Sequence, residues 1–367
     1  MTMEACVTSP LRLLIVDDSR IFREAFREIV APLPGVEVVG SVWNGVKALE
    51  YLRANPVDLV TLDLQMPQMD GLETLRAIQR LNGSRPDDPP VGVLLVSAYS
   101  RQGAEVTIKA LEAGAFDFVC KPSGPHGVTD IDRIRRSVSE KLRAYASQRD
   151  VGTVSAQVPA PIAAPPIAHR FDREIEGIFI AVSTGGPQAL TFLLPELSRV
   201  TRAPIFVAQH LPAEFTPFLA KSLDAKCPAR VVVASDDEPV EAGTIYIAPG
   251  GRNLLLRKRQ GMIRTGINDL PSESGCRPSA DILFRSAAPV LGQNAVACVL
   301  TGMGHDGTEG LRALRRAGAY VLAQDEESSV VWGMPGSAVA AGLVDRVVPI
   351  SEIAEVISAL AHHPGAS

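Results

Sequence analysis

A chain of 367 residues is too long for one ordinary hydrophobic core and suits two domains of common size. With 21% charged and 46% hydrophobic residues the composition is globular, and a net charge of −5 argues against general nucleic-acid binding, which favours a basic face. No apolar run approaches the roughly 20 residues that span a bilayer, and the start MTMEACVTSP lacks the pattern of a signal peptide, so a cytoplasmic chain without membrane insertion is expected.

In the first part of the chain, short apolar runs alternate with amphipathic stretches. Strands are expected at 11–17, 36–42, 59–64, 91–98 and 116–120, and nearly continuous apolar strands suit a parallel sheet covered on both faces. Ile131, Ile134, Val138, Leu142 and Tyr145 then recur at helical spacing, as in a helix docked on that sheet; a dimerisation surface is the other reading. Residues 146–173 follow as a linker, because Pro159, Pro161, Pro165 and Pro166 among small residues favour extended backbone. Alternation resumes with strands at 178–182, 205–208, 231–234, 245–248, 296–300 and 320–323, a hairpin near 254–264, and helices after Pro187, Glu214, Ser279, Thr308 and Pro335. Repeated strand–helix units imply a second, doubly wound and largely parallel sheet, whose ligands gather beyond the carboxyl ends of its strands. The five cysteines are scattered without a CxxC spacing, which fits reduced thiols.

Strand ends are therefore where chemistry is to be sought. In the first half they carry Asp17 and Asp18 (LLIVDDSR), Asp63 (LVTLDLQMPQMDG), Ser97 (VLLVSAY) and Lys121 (FVCKP). Three carboxylates at one sheet edge suit a hard divalent cation, which would offset their repulsion and neutralise an incoming phosphoryl group. Asp63 is placed to accept that group, with the Ser97 hydroxyl and the Lys121 ammonium on its oxygens. This ordered set, over nearly all of residues 11–145, resembles the receiver domain of two-component response regulators. The resemblance implies a flavodoxin-like parallel fold, Asp63 as phosphorylation site, Mg2+ held by Asp17, Asp18 and Asp63, Phe118 as the aromatic switch, a cis Lys121-Pro122 bond and a sensor histidine kinase as phosphodonor.

In the second half, AVSTGGP (181–187) follows a strand and precedes a helix. It is neither a P-loop nor a dinucleotide fingerprint nor the GxSxG elbow. Alone, Ser183-Thr184 reads as a helix N-cap. His210 closes the next strand (PIFVAQHLPAEFT), however, and VACVLTGMGHDGTEGL runs from a strand into His305 and Asp306. Parallel strands can bring Ser183, His210 and Asp306 to one edge as nucleophile, base and imidazole-orienting acid, with His305 a competing base. The glycines of these turns permit close backbone approach, and the Met303 amide is a candidate oxyanion donor with Thr184 as polar neighbour.

STGGP, QHLPAEFT, IYIAPGGRNLLL, CRPSADILFRSAA, LTGMGHDGTEGL and SSVVWGMPGSAVAAGLVD together resemble the catalytic domain of the chemotaxis protein-glutamate methylesterases, the CheB family. With the receiver, the likeness covers nearly the whole chain: receiver 11–145, linker 146–173, methylesterase domain 174–355. It implies a phosphorylation-activated hydrolase that demethylates glutamate methyl esters on chemoreceptor helices, deamidates receptor glutamines, needs no cofactor for hydrolysis and is restrained by its unphosphorylated receiver. A receptor-binding module with little activity, or an esterase of another acylated protein, are the alternatives. Asn253 stands where related sequences often have histidine, which alters any substrate contact there. Arg277 reads as a substrate contact or a loop support, Trp332 as packing or groove border, and Arg257-Lys258-Arg259 as a solvated hairpin or an anionic docking patch.

Overall fold

The computed structural model describes residues 9–98, 100–121, 127–151 and 174–361. Two compact units divide between Asp150 and Val151.

The first unit runs β1 (Leu11–Val16), α1 (Arg20–Val30), β2 (Val36–Val42), α2 (Gly45–Ala54), β3 (Leu59–Asp63), α3 (Gly71–Gly83), β4 (Gly92–Ser97), α4 (Arg101–Glu112), β5 (Asp117–Cys120) and α5 (Gly127–Val151). The strands pair in parallel in the order β2-β1-β3-β4-β5. Polar residues after the strands start the helices: Ser19, Asn44 and Ser100 cap α1, α2 and α4, and Asp70 with Glu73 closes a capping box on α3. Ile134, Val138 and Leu142 of α5 are buried, and Tyr145 donates its hydroxyl to the Asp58 carbonyl at 3.0 Å, so this helix is docked on the sheet. It continues past Tyr145 to Val151, into residues expected to begin the linker. The side chain of Ile131, the Lys121-Pro122 bond, segment 152–173 and His126, His169, His362 and His363 lie outside the described residues.

The second unit contains β6 (Gly177–Val182), α6 (Gly186–Val200), β7 (Ile205–Gln209), α7 (Thr216–Asp224), β8 (Arg230–Val233), β9 (Thr244–Ile247), β10 (Asn253–Arg259), β11 (Met262–Asn268), α8 (Ala280–Leu291), β12 (Ala295–Val299), α9 (Thr308–Arg316), β13 (Tyr320–Gln324), α10 (Gly333–Ala340), β14 (Arg346–Val348) and α11 (Ile353–Ala361). Seven parallel strands lie in the order β14-β13-β12-β6-β7-β9-β8, and β10 and β11 form the expected hairpin. Phe179, Phe206 and Tyr246 stack across β6, β7 and β9 with ring centroids 5.1 and 5.3 Å apart. From β6 the chain winds outward through β7, then returns to the other side of β6 as β12. In parallel α/β sheets such a reversal is where ligands bind, here beyond the carboxyl ends of β6 and β12. The same reversal occurs between β1 and β3 in the first unit.

Candidate active site and phosphoacceptor cluster

In the first unit the reversal places Asp17 after β1 and Asp63 at the end of β3. A carboxylate oxygen from each of Asp17, Asp18 and Asp63 lies within 4.8 Å of the others, an arrangement consistent with a divalent-cation site of the response-regulator kind. Lys121, after β5, places Nζ 2.7 Å from Asp17 Oδ2 and 2.9 Å from Asp63 Oδ2. Burial pushes the Asp63 carboxyl above its ordinary pKa despite that ammonium. Asp17 Oδ2 is buried and, apart from the lysine, accepts no hydrogen bond, as an oxygen awaiting a cation would be. Ser97 is buried, with Oγ accepting from Thr107 Oγ1 at 2.7 Å, and Phe118 is buried on β5.

In the second unit the strand order brings the ends of β12, β6 and β7 together. Ser183 follows β6, and its amide donates to the Thr301 carbonyl beyond β12 at 3.0 Å. His210 follows β7, its amide on the Val182 carbonyl at 3.1 Å, so Ser183 and His210 continue the paired register Val182–Gln209. Asp306 lies in the loop after β12, buried, with Oδ2 2.7 Å from His210 Nε2. His210 is thus the histidine on Asp306; His305 is exposed on the same loop. The turn after Ser183 depends on Gly185 at φ 77°, left-handed backbone that L side chains rarely adopt. Gly302 permits the close approach of the β12 loop, because a Cβ there would stand 2.9 Å from Ser183 Cβ. Thr184 and Met303 lie on these two turns, Thr184 offering its carbonyl to Thr301 Oγ1 at 3.0 Å.

Several supporting residues are not among those singled out at the strand ends, although Ser279, Ala280 and Asp281 lie within the stretch CRPSADILFRSAA. Asp306 Oδ1 accepts from Ser274 Oγ at 3.0 Å and Ser279 Oγ at 2.9 Å, and Oδ2 also accepts from the Ala280 amide at 2.7 Å. These donors and His210 hold the Asp306 carboxyl well below the usual carboxylate range, although burial opposes the charge. Burial likewise disfavours a charged His210, but Asp306 and the neighbouring Cys276 prevail and raise the imidazole to about 9. Asp281, against Asp306, accepts from the Gly310 amide at 2.7 Å, and burial with the adjacent negative charge pushes its carboxyl up to about 6. Gln209 donates Nε2 to the Ser183 carbonyl at 3.0 Å.

Asn253 is not a surface contact. It is fully buried, donating to the Leu270 carbonyl at 2.8 Å and accepting from the Ser279 amide at 3.1 Å, and so ties the hairpin to the loop that holds Asp306. Arg277 donates to the Asp269 carbonyl at 3.3 Å and thereby supports its loop. Trp332 donates Nε1 to the Gln324 carbonyl at 3.0 Å, and Arg257 and Arg259 approach Asp236 and Asp237 at 3.9 and 3.4 Å.

Two family models match the chain: response regulator receiver domain over residues 13–131 and CheB methylesterase over residues 178–357. The protein-glutamate methylesterase/protein-glutamine glutaminase of Desulfotalea psychrophila is 38% identical over 361 residues, covering 95% of this chain and 97% of that protein. The protein of the same name from Geobacillus kaustophilus is 40% identical over 351 residues, covering 95% and 97%. The crystal structure of the Thermotoga maritima CheB methylesterase catalytic domain matches with a TM-score of 0.50 at 37% identity, covering 51% of this chain and 100% of that one. A response-regulator receiver followed by a parallel α/β unit with a serine at its switch point is the class that this fold and site define. The chain belongs to the CheB family of protein-glutamate methylesterases/protein-glutamine glutaminases. Among the described residues, no helix is long and apolar enough to cross a membrane.

Proposed function

We propose that this chain hydrolyses glutamate methyl esters on chemoreceptor helices and deamidates receptor glutamines, under control of phosphorylation at Asp63. The observation that carries the reading is the His210–Asp306 pair, 2.7 Å apart, beside Ser183 at the switch point of the second sheet. Residues 11–145 act as receiver, 146–173 as linker and 174–355 as the catalytic domain.

Ser183 Oγ attacks the ester carbonyl. With Nε2 committed to Asp306, Nδ1 is the ring nitrogen left to take the serine proton. Asp306 stabilises the imidazolium, and the Met303 amide meets the developing oxyanion with Thr184 beside it. His210 returns the proton as methanol leaves, and water, activated by the same imidazole, cleaves the acyl-enzyme to give glutamate and free serine. From glutamine the leaving group is ammonia.

Asp63 takes its phosphoryl group from a sensor histidine kinase. Asp17, Asp18 and Asp63 would hold Mg2+, which when bound supplies charge neutralisation at the phosphoryl oxygens; the buried Asp17 Oδ2, whose partner is the Lys121 ammonium, and the close approach of the three carboxylates support this assignment. Ser97 and Lys121 contact the phosphoryl group, and Phe118 relays its presence. The test is methanol release from methylated receptor, with and without a small phosphodonor and Mg2+. Ser183→Ala should abolish release, a loss of about 10⁴-fold or more, and Asp63→Asn should abolish only the stimulation. No release from any methylated receptor, with Asp63 phosphorylated, would redirect the reading to a binding module or an esterase of another protein.

A further inference from the structure

Cys276 stands beside His210 and Asp306 at the hydrolase site, yet takes no step in the proposed chemistry. It stands in the loop before α8, held there by its carbonyl, which accepts from Ser272 Oγ at 2.7 Å. Its sulfur belongs to a cluster in which one ligand atom each of Cys276, His210 and Asp306 lies within 4.8 Å of the others. We propose that this cluster is a binding site for a thiophilic divalent cation, zinc by preference, and that loading it silences the hydrolase.

The donor set differs in kind from the carboxylate cluster of the receiver. Thiolate, imidazole and carboxylate together suit zinc, whereas oxygen donors alone suit magnesium or calcium. Zinc bonds of about 2.0–2.3 Å in a tetrahedron set donor atoms roughly 3.2–3.8 Å apart. Donors already within 4.8 Å reach that geometry with shifts of about 1 Å. The His210–Asp306 contact, now 2.7 Å, opens by roughly half an ångström, while Ser274 and Ser279 remain on the other carboxylate oxygen. Cys276 is partly exposed and the His210 side chain is 14% exposed, so an ion has an approach from solvent. The thiol proton and one proton of the His210 imidazolium leave to solvent as the ion enters, and water completes the fourth position.

Silencing follows from which atoms are taken. An ion on His210 Nε2 replaces the proton shared with Asp306; an ion on Nδ1 occupies the nitrogen that would receive the serine proton. Either way the imidazole is a ligand and no longer a base. This consequence rests on the esterase reading, but binding itself does not.

The experiment uses the full chain in excess Mg2+, which keeps the receiver carboxylates occupied. Cobalt(II) serves as a spectroscopic stand-in, and zinc is titrated against a chromophoric chelator. The wild type should bind one thiolate-linked ion, seen as a thiolate-to-cobalt charge-transfer band, and zinc should protect Cys276 from alkylation as read by peptide mass. Cys276→Ala and Cys276→Ser should lose the band and bind zinc at least about 10–100-fold more weakly. Methanol release by the wild type should fall with zinc and return on chelation, and the zinc concentration for half-inhibition should rise by a similar factor in the variants. No band and no protection in the wild type, or equal zinc affinity in wild type and variants, would overturn the site. A band without inhibition would overturn the silencing. A chain inactive with and without zinc would overturn the esterase reading, and the band would still decide the site.

Discussion

A histidine whose Nε2 rests 2.7 Å from a buried carboxylate does not titrate as a free imidazole. With the pKa raised to about 9, His210 is mostly protonated at neutral pH and cannot take the serine proton until that charge is lost. The kcat/KM for methyl ester hydrolysis should therefore rise with pH through an inflection near pH 9 and level off only above it. Asp306→Asn should move the inflection down toward the ordinary imidazole value of about 6.5 while lowering the rate. A pH–rate profile of both proteins checks this, and an unmoved inflection would count against His210 as the base. Gly302 offers a second test. Alanine there would press its Cβ to 2.9 Å from Ser183 Cβ and 2.4 Å from Met334 Sδ. Gly302→Ala should cost about 1–3 kcal/mol in denaturant unfolding and a larger share of activity, since Ser183 or its neighbour must move. At this scale much was legible: Asp17, Asp63, Ser183 and His210 all end apolar runs, and parallel strands of one sheet present such ends at one edge. The structural role of Asn253 was not legible, because its burial arises from a loop 26 residues away.

Among the elements, α8 and the loop before it gather several polar contacts on one buried carboxylate. Ser274, Ser279 and the Ala280 amide converge on Asp306, and Asp281 on the first turn of α8 faces the same carboxylate while gripping the Gly310 amide of α9. Two buried acids side by side have a pH signature. Asp281 is raised from 3.8 to about 6, so its contribution to stability is complete below the unfolded value and is lost as pH rises through the folded one. Asp281→Asn keeps the acceptor for Gly310 without the charge. Relative to the wild type, the variant should gain on the order of 1–3 kcal/mol between about pH 4 and pH 7.5, as measured by denaturant unfolding. None of this network shows in helical or strand periodicity. It joins residues 25–32 apart in sequence through hydroxyls and amides that could equally be ordinary caps. Elements themselves were easier to see, except β14, whose three residues are too few to form a pattern, and α11, which follows a 3₁₀ turn.

For the whole molecule, two separately compact units and a proline-rich segment fit a chain whose halves can be parted. The expected restraint of the hydrolase by an unphosphorylated receiver becomes a simple comparison. Because α5 continues to Val151, the cut belongs after that residue rather than after Tyr145. The shortened protein should hydrolyse methylated receptor several-fold faster than the unphosphorylated full chain and ignore phosphodonor. A folded catalytic unit no faster than the full chain would refute the restraint. The two-unit plan was readable from the interruption of strand–helix alternation by prolines, but the order of strands was not. Alternation fixes neither which strand is central nor where winding reverses.

That strand order also sets when the hydrolase can come into being. β6 leaves the ribosome first of its sheet, yet it is central and must wait for β12 on one flank. The threonines that link its turn to the β12 loop are 117 residues apart, and the histidine and its carboxylate 96. Non-local parallel pairings form slowly, because a long loop must close before any contact rewards it. In refolding, then, helical signal should return well before turnover, and chains halted during synthesis short of β12 should hold a serine and a histidine already side by side but no hydrolase.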